Sequence, residues 1–368
     1  MYAAEPPKGP LEHYKILSSK AGVRVSPACL GAMTFGTAWK ERLGECSKDE
    51  AFAIMDTFFD NGGNFIDTAN NYQNNESEIW IGEWMKKRNN RDEIVLATKF
   101  SSTYVKPGEV KIAVNATGNS AKSLHGSIAR SLKNLNTTYV DILYVHWPDY
   151  LVNIHEMMHS LNNLVVAGKV LYLGASDLPA WMVAAANTYA REKGLAQFVV
   201  YQGKWNVAER DFERDILPMA RAFGLALAPW SVMIGGRSKT EEEKSKDKGR
   251  EPMGPPPRNF DAVLKAVDAV AKDLSATRQQ VCIAYVIKKE PQTFPIIGTR
   301  KASHLLDNIK GIELVENLTS DHVKQIESAG DFDIGFPHNF VGTGVVASNW
   351  ILTNGGKIQQ PQFPIPQI

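Results

Sequence analysis

Eight short, almost continuously apolar runs punctuate this chain: ACLGAMTF, NFIDTA, IVLATKF, VDILYVHW, VLYLGAS, FVVYQGKW, LALAPWS and TFPIIGT. Between them lie longer stretches of mixed polarity, among them SKDEAFAIMDTFFDNG, NSAKSLHGSIARSLKNL, NIHEMMHSLNNLVVAGK and PAWMVAAANTYAREKG. In the third of these, Ile154, Met157, Met158, Leu161, Leu164 and Val165 recur with the 3.6-residue period of one helix face. Strands that are apolar on both faces need cover on both. Alternation with helices therefore implies βα units and a parallel sheet. Eight such units suggest closure into a (β/α)8 TIM barrel. An open doubly wound sheet is the competing arrangement, but CLGAMTFGTAW, around the first run, lacks the G-x-G-x-x-G turn that such a sheet would want.

Three segments depart from this rhythm. YKILSSKAGVRVSP alternates around a glycine and predicts an N-terminal β-hairpin ahead of the barrel. Residues 235–258, charged and rich in Gly and Pro without periodicity, predict a long loop after the seventh barrel strand. From residue 331 the chain is loop-like but carries Phe336, Phe340 and Trp350, aromatics suited either to packing on the barrel or to walling a substrate pocket. The expected organisation is one barrel domain over 1–368, with a core at 15–330 and a tail at 331–368. A glycine fingerprint at Gly342, Gly344 and Ala347 lies too near the C-terminus to open a nucleotide-binding crossover unit.

Composition narrows the picture. Of 368 residues, 43% are hydrophobic and 22% charged, and the formal net charge of +1 offers no attraction to nucleic acid or an anionic membrane. The N-terminus lacks the apolar core of a signal peptide, and no apolar run is long enough to span a bilayer, which points to the cytoplasm. Cys29, Cys46 and Cys282 form no paired spacing and are expected as small core residues; no metal site is expected.

The chemistry concentrates at strand ends. Three successive barrel runs close on an ionisable group: Asp67, Lys99 and His146, with Tyr72 just after the first. Each alone has an ordinary explanation, as a cap, a snorkelling lysine, a core histidine or an amphipathic aromatic. A barrel concentrates its chemistry at the C-terminal ends of its strands, so the four should meet there. A charge ending an apolar strand is costly unless paired. A lysine beside a phenol lowers its pKa, and a carboxylate keeps the lysine charged and oriented. An imidazole nearby can bond a substrate oxygen. Together they suit proton donation to a carbonyl during its reduction.

These motifs resemble those of the aldo-keto reductase superfamily over nearly the whole chain, from about Lys15 to Gly330. FIDTANNY is similar to the segment with the family's catalytic Asp and Tyr, LATKF to that with its Lys, and YVHWPD to that with its His. GASDLPAW and PIIGTRKASHLLDNI carry a finer likeness to fungal aryl-alcohol dehydrogenases and norsolorinic-acid-reductase-like proteins. The resemblance implies NADPH/NADP+ bound across the barrel mouth. It assigns Ser176, Asp177 and Gln202 to the nicotinamide carboxamide, Asp177 standing where many relatives have Asn. It assigns Trp230 to stacking on the nicotinamide, and Ser231 and Met233 to the pyrophosphate. Thr299, Arg300 and His304 fall near the 2′-phosphate, and Asp307 and Asn308 near the adenine. A guanidinium fork suits phosphate geometry.

Trp39, Trp147 and Trp205 follow strand ends and suggest an aromatic-lined pocket for a flat carbonyl substrate, such as a benzaldehyde. A polyketide ketone fits the resemblance as well. The family also implies a non-catalytic alternative, a nucleotide-binding regulatory subunit like those of potassium channels. The sequence leaves monomer and homodimer open.

Overall fold

The computed structural model describes residues 5–237, 254–342 and 356. It opens with an antiparallel hairpin, β1 (Lys15–Ser18) and β2 (Ala21–Val25). The turn is Ser19–Lys20, not the glycine that the alternation suggested. Ser18 pairs with Ala21, and the Ser18 hydroxyl accepts from the Lys20 amide. Gly22 lies inside β2.

Eight parallel strands follow: β3 (Cys29–Gly31), β4 (Phe65–Asp67), β5 (Val95–Phe100), β6 (Val140–Val145), β7 (Val170–Ser176), β8 (Phe198–Lys204), β9 (Ala226–Trp230) and β10 (Ile296–Gly298). Their order in the sheet is β10-β3-β4-β5-β6-β7-β8-β9. The ends of that order meet through Leu227, whose amide donates to Gln292 O at 3.0 Å and whose carbonyl accepts from Phe294 N at 2.7 Å. The result is a nearly closed (β/α)8 barrel with each of the eight apolar runs in a strand.

Around it run α1 (Lys40–Leu43), α2 (Lys48–Asp60), α3 (Glu76–Arg88), α4 (Ala121–Asn134), α5 (Ile154–Val166), α6 (Ala180–Lys193), α7 (Ile216–Phe223), α8 (Phe260–Asp273), α9 (Arg278–Lys289), α10 (Ala302–Ile309) and α11 (Ser320–Ala329). Local chemistry sets several starts. Ser47 and Glu50 form a capping box before α2, as do Thr277 and Gln280 before α9, while Ser120 and Asn153 cap α4 and α5.

The apolar interior has two parts, divided by the strand period of two. Ile66, Leu96, Leu143 and Val145 point outward into the layer shared with the helices. Phe65, Val95, Ala97, Ile142 and Tyr144 point into the barrel. Leu17, Ala21 and Val25 of the hairpin join this inner cluster, so the hairpin fills the N-terminal end of the barrel.

One expectation about aromatics is corrected here. Phe336 and Phe340 are 81% and 60% exposed, so neither packs on the barrel. The tail is fastened instead at Phe332, which lies over the guanidinium groups of Arg210 and Arg214 at 4.6 and 5.0 Å. Trp350, Gly344 and Ala347 lie outside the described residues.

Candidate active site

Barrel register explains how far-apart residues converge. Asp67 lies opposite Ala97, and Lys99 lies opposite Tyr144. Each successive strand thus carries its inward set one step of two residues further: Phe65–Asp67, then Ala97–Lys99, then Tyr144–His146. Strand tilt in a barrel turns that stagger into a level arrangement around the mouth. Asp67 and Lys99 are the last inward positions of their strands, and His146 directly follows β6, where the apolar filling gives way to polar groups.

Lys99 is fully buried. Its Nζ donates to Asp67 Oδ2 at 2.6 Å, to Thr68 O at 2.8 Å and to Tyr72 Oη at 3.4 Å. Gln202 Nε2 donates to the other Asp67 oxygen at 2.9 Å. The ion pair is thereby surrounded by further hydrogen bonds, the condition under which two buried charges recover their desolvation cost. His146 stands edge-on to Tyr72, with ring centroids 5.8 Å apart. Its Nδ1 is buried and has no hydrogen-bond partner among the described residues.

Electrostatics separate the roles of these groups. Burial opposes the charge of Lys99, but the Asp67 carboxylate and the Tyr72 phenol outweigh it and hold the ammonium above its ordinary pKa. Burial, with the Lys99 charge adding to it, drives His146 well below the usual imidazole range, so it is neutral near pH 7. The expectation for Tyr72 is reversed. Burial pushes the phenol above its ordinary value; Lys99 pulls it down, while Asp67 and Asp177 push it up. Desolvation of the phenolate outweighs one ammonium already engaged by a carboxylate. Tyr72 therefore holds its proton firmly.

The remaining candidates lie at or beyond the C-terminal ends of β7 to β10, the last three of them on α10. Asp177 follows β7 in the left-handed region, at φ 54°. Trp230 Nε1 donates to both its carboxylate oxygens at 3.1 Å, and Ser176 Oγ donates to Oδ2 at 3.2 Å. Burial pushes the Asp177 carboxyl up to about 6, against these bonds and the Lys99 charge. Ser231 also has positive φ, 57°, and its carbonyl accepts from the buried Asn206 amide at 3.2 Å. Met233 leads into a short 3-10 turn, Ile234–Gly236.

Thr299 and Arg300 follow β10 directly. The Thr299 hydroxyl accepts from Lys301 N at 3.2 Å, and its carbonyl accepts from Thr34 Oγ1 at 3.1 Å. Arg300 lies across Gly44, where any Cβ would collide with its guanidinium. His304 is exposed on the first turn of α10, whose N-terminus carries no side-chain cap. Gln280 Nε2 donates to the Asp307 carbonyl and carboxylate at 3.0 and 3.1 Å, and Asn308 is buried.

Two of the three tryptophans sit at the mouth. Trp147 stacks on His146 with centroids 4.4 Å apart, and Trp39 meets Tyr72 edge-on at 6.2 Å. Trp205 does not line the mouth, which corrects the third assignment. It is fully buried, stacked on Phe212 at 5.3 Å, with Nε1 donating to Glu213 Oε1. Its large ring finds more apolar cover beneath the Asp211–Glu213 turn than at the rim. Sequence reasoning missed Gln73 and Glu76, which bind the loop carrying Trp39. Their one local sign is the run Gln-Asn-Asn ahead of a helix, since Asn tolerates left-handed backbone.

The description "Aldo/keto reductase family" fits residues 27–331 by sequence. Norsolorinic acid reductase B of Dothistroma septosporum is 53% identical over 332 residues, covering 89% of this chain and 84% of that protein. An aryl-alcohol dehydrogenase of Pestalotiopsis microspora is 50% identical over 341 residues, covering 92% and 88%. The aldo-keto reductase ausK of Aspergillus calidoustus is 47% identical over 348 residues, covering 92% and 87%.

Proposed function

The chain belongs to the aldo/keto reductase family of oxidoreductases, and from that premise we propose that it reduces aldehydes, aromatic ones by preference, to alcohols with NADPH, reversibly. The observation that carries this reading is the buried Lys99, bonded at once to Asp67 and to the Tyr72 hydroxyl.

Bound NADPH would supply the hydride to the carbonyl carbon. The protein's part is to hold the substrate and move a proton. Tyr72 donates its phenolic proton to the carbonyl oxygen as negative charge develops there. Lys99 stabilises the phenolate left behind, and Asp67 orients Lys99. Neutral His146 offers a hydrogen bond to the same oxygen and adds no charge to the site. The C=O bond gains one hydride and one proton, and Tyr72 recovers its proton from solvent after the alcohol leaves.

The residues fit a dinucleotide phosphate. Arg300 and Thr299 stand before an uncapped helix N-terminus, which favours anions, and would take the 2′-phosphate with His304 alongside. Asp307 and Asn308 would face the adenine, and Ser231 and Met233 the pyrophosphate. Trp230, held by Asp177, would form the nicotinamide platform. Asp177, Ser176 and the Gln202 carbonyl side would meet the carboxamide, since Gln202 Nε2 already serves Asp67.

Aromatic preference rests on Trp39 and Trp147 at the mouth and on the name of the Pestalotiopsis relative. A ketone of polyketide type is the second reading, favoured by the name of the Dothistroma relative. A non-catalytic nucleotide-binding role gives no account of the Tyr72 hydroxyl held beside Lys99. No helix of the described residues is long and apolar enough to cross a membrane, in keeping with a cytoplasmic enzyme of small-molecule substrates.

The test follows nicotinamide absorbance across an aldehyde panel, with NADH in parallel, on the wild type and Tyr72→Phe. Tyr72→Phe should lose at least about a hundredfold in kcat while binding NADPH nearly as well. Near-wild-type turnover in that variant would remove Tyr72 from the mechanism. Equal rates for aromatic and aliphatic aldehydes of the same carbon count would remove the aromatic preference.

A further inference from the structure

Between Tyr72 and α3 the chain holds three consecutive non-glycine residues in the left-handed region: Gln73 at φ 52°, Asn74 at 53° and Asn75 at 77°. Such backbone persists only where its surroundings over-determine it. Here they do. Gln73 is fully buried, and its amide bridges to the opposite loop, accepting from Trp39 N at 2.7 Å and donating to Met33 O at 3.0 Å. Glu76 completes the grip, its carboxylate accepting from Thr37 N at 2.6 Å and Ala38 N at 3.3 Å. Gly36 makes the approach possible: a Cβ there would lie 2.3 Å from the Gln73 Cβ.

The loop so gripped carries Trp39, edge-on to Tyr72. A left-handed turn alone would suit glycine at position 73 at no steric cost. The glutamine is required instead by two backbone groups of the opposing loop, one of them the amide of Trp39 itself.

We infer that Gln73, supported by Glu76, is a positioning and specificity-determining residue: its amide fixes the 33–39 loop so that Trp39 stands as a rigid wall beside Tyr72 and selects flat aromatic carbonyl substrates over flexible aliphatic ones. This rests on the reading of Tyr72 as proton donor. A wall fixed before binding spares a planar substrate the cost of ordering it, whereas a flexible chain gains little from a planar surface.

The test is Gln73→Gly, which keeps the turn geometry and removes the side chain with its amide. Kinetics with benzaldehyde and heptanal, of equal carbon count, give the selectivity. The ratio of their kcat/KM values should fall about tenfold through the benzaldehyde KM, with heptanal changing less than about twofold. In a Trp39→Ala background, Gln73→Gly should leave the ratio where Trp39→Ala put it. Trypsin, acting at the exposed Lys40 and Arg42 beside Trp39, should cut the variant faster than the wild type. Equal losses on both aldehydes, or a ratio loss that adds in full to that of Trp39→Ala, would overturn the inference. If Tyr72→Phe keeps its turnover, the proton-donor reading fails by itself. Trypsin then still reads the grip, and unchanged cleavage would overturn it independently.

Discussion

Replacing Lys99 with Met separates what the buried cation does for folding from what it does for turnover. In Lys99→Met the Asp67 carboxylate stays buried with Gln202 Nε2 as its remaining side-chain donor. Breaking a buried pair from one side costs about 3–5 kcal/mol, because the surviving charge is uncompensated. The unfolding entropy of a 368-residue chain is about 0.8 kcal/mol per degree near 60 °C, so Tm should drop by about 4–6 °C. Turnover should fall by about 10²–10⁴, since the developing Tyr72 phenolate loses its cation. The double variant Lys99→Met/Asp67→Asn removes the orphaned charge and keeps an acceptor for Gln202. It should regain most of the lost Tm and none of the rate. Differential scanning calorimetry and nicotinamide absorbance on the same preparations decide the matter. An unchanged Tm in the single variant, or recovered turnover in the double, would refute the reasoning.

Three further outcomes are expected. Asp177 binds its proton more tightly folded than unfolded, its pKa rising from 3.8 to about 6. Its stabilising contribution is thus full below about pH 4 and lost as pH rises through about 6, at no more than about 3 kcal/mol. The stability of the wild type relative to Asp177→Asn, by urea unfolding, should fall across that interval, and a flat difference would remove the buried-carboxyl account. Aldehyde kcat/KM should vary by less than about threefold between pH 7 and 9, because Tyr72 is raised and His146 lowered out of that window; an imidazole-like break there would contradict the assignments. Arg300→Ala should raise the KM for NADPH about 30- to 100-fold and leave that for NADH nearly unchanged, as loss of a charged hydrogen-bond pair predicts; equal effects on both cofactors would place the 2′-phosphate elsewhere.

The barrel was legible because burial on two faces leaves no freedom: each of the eight strands had to be an apolar run. The convergence of Asp67, Lys99 and His146 was legible for the same reason, since a charge closing such a run is conspicuous. Other features were hidden by physics that acts at long range. The hairpin turn at Ser19–Lys20 is set by pairing, not by a strong turn residue. The sign of the Tyr72 shift depends on how completely the phenol is buried, which no local pattern encodes. Trp205 and Trp147 both stand just beyond strand ends in sequence, and only packing sends one under a turn and the other to the rim. The grip of Gln73 on Met33 and Trp39 spans 40 and 34 residues of chain and leaves no local signature beyond an Asn-rich turn.

The hairpin of β1 and β2, with Leu17, Ala21 and Val25 sunk into the strands' inner filling, corks the vessel at its floor. The chemistry proposed above sits at the opposite mouth. On the reading proposed above, a dinucleotide laid over that mouth would admit the smaller guest only after it had settled, and could not depart until the guest had gone. Traffic of this kind is a queue, and product-inhibition patterns would display it: the oxidised dinucleotide competing with the reduced one, and the alcohol not doing so.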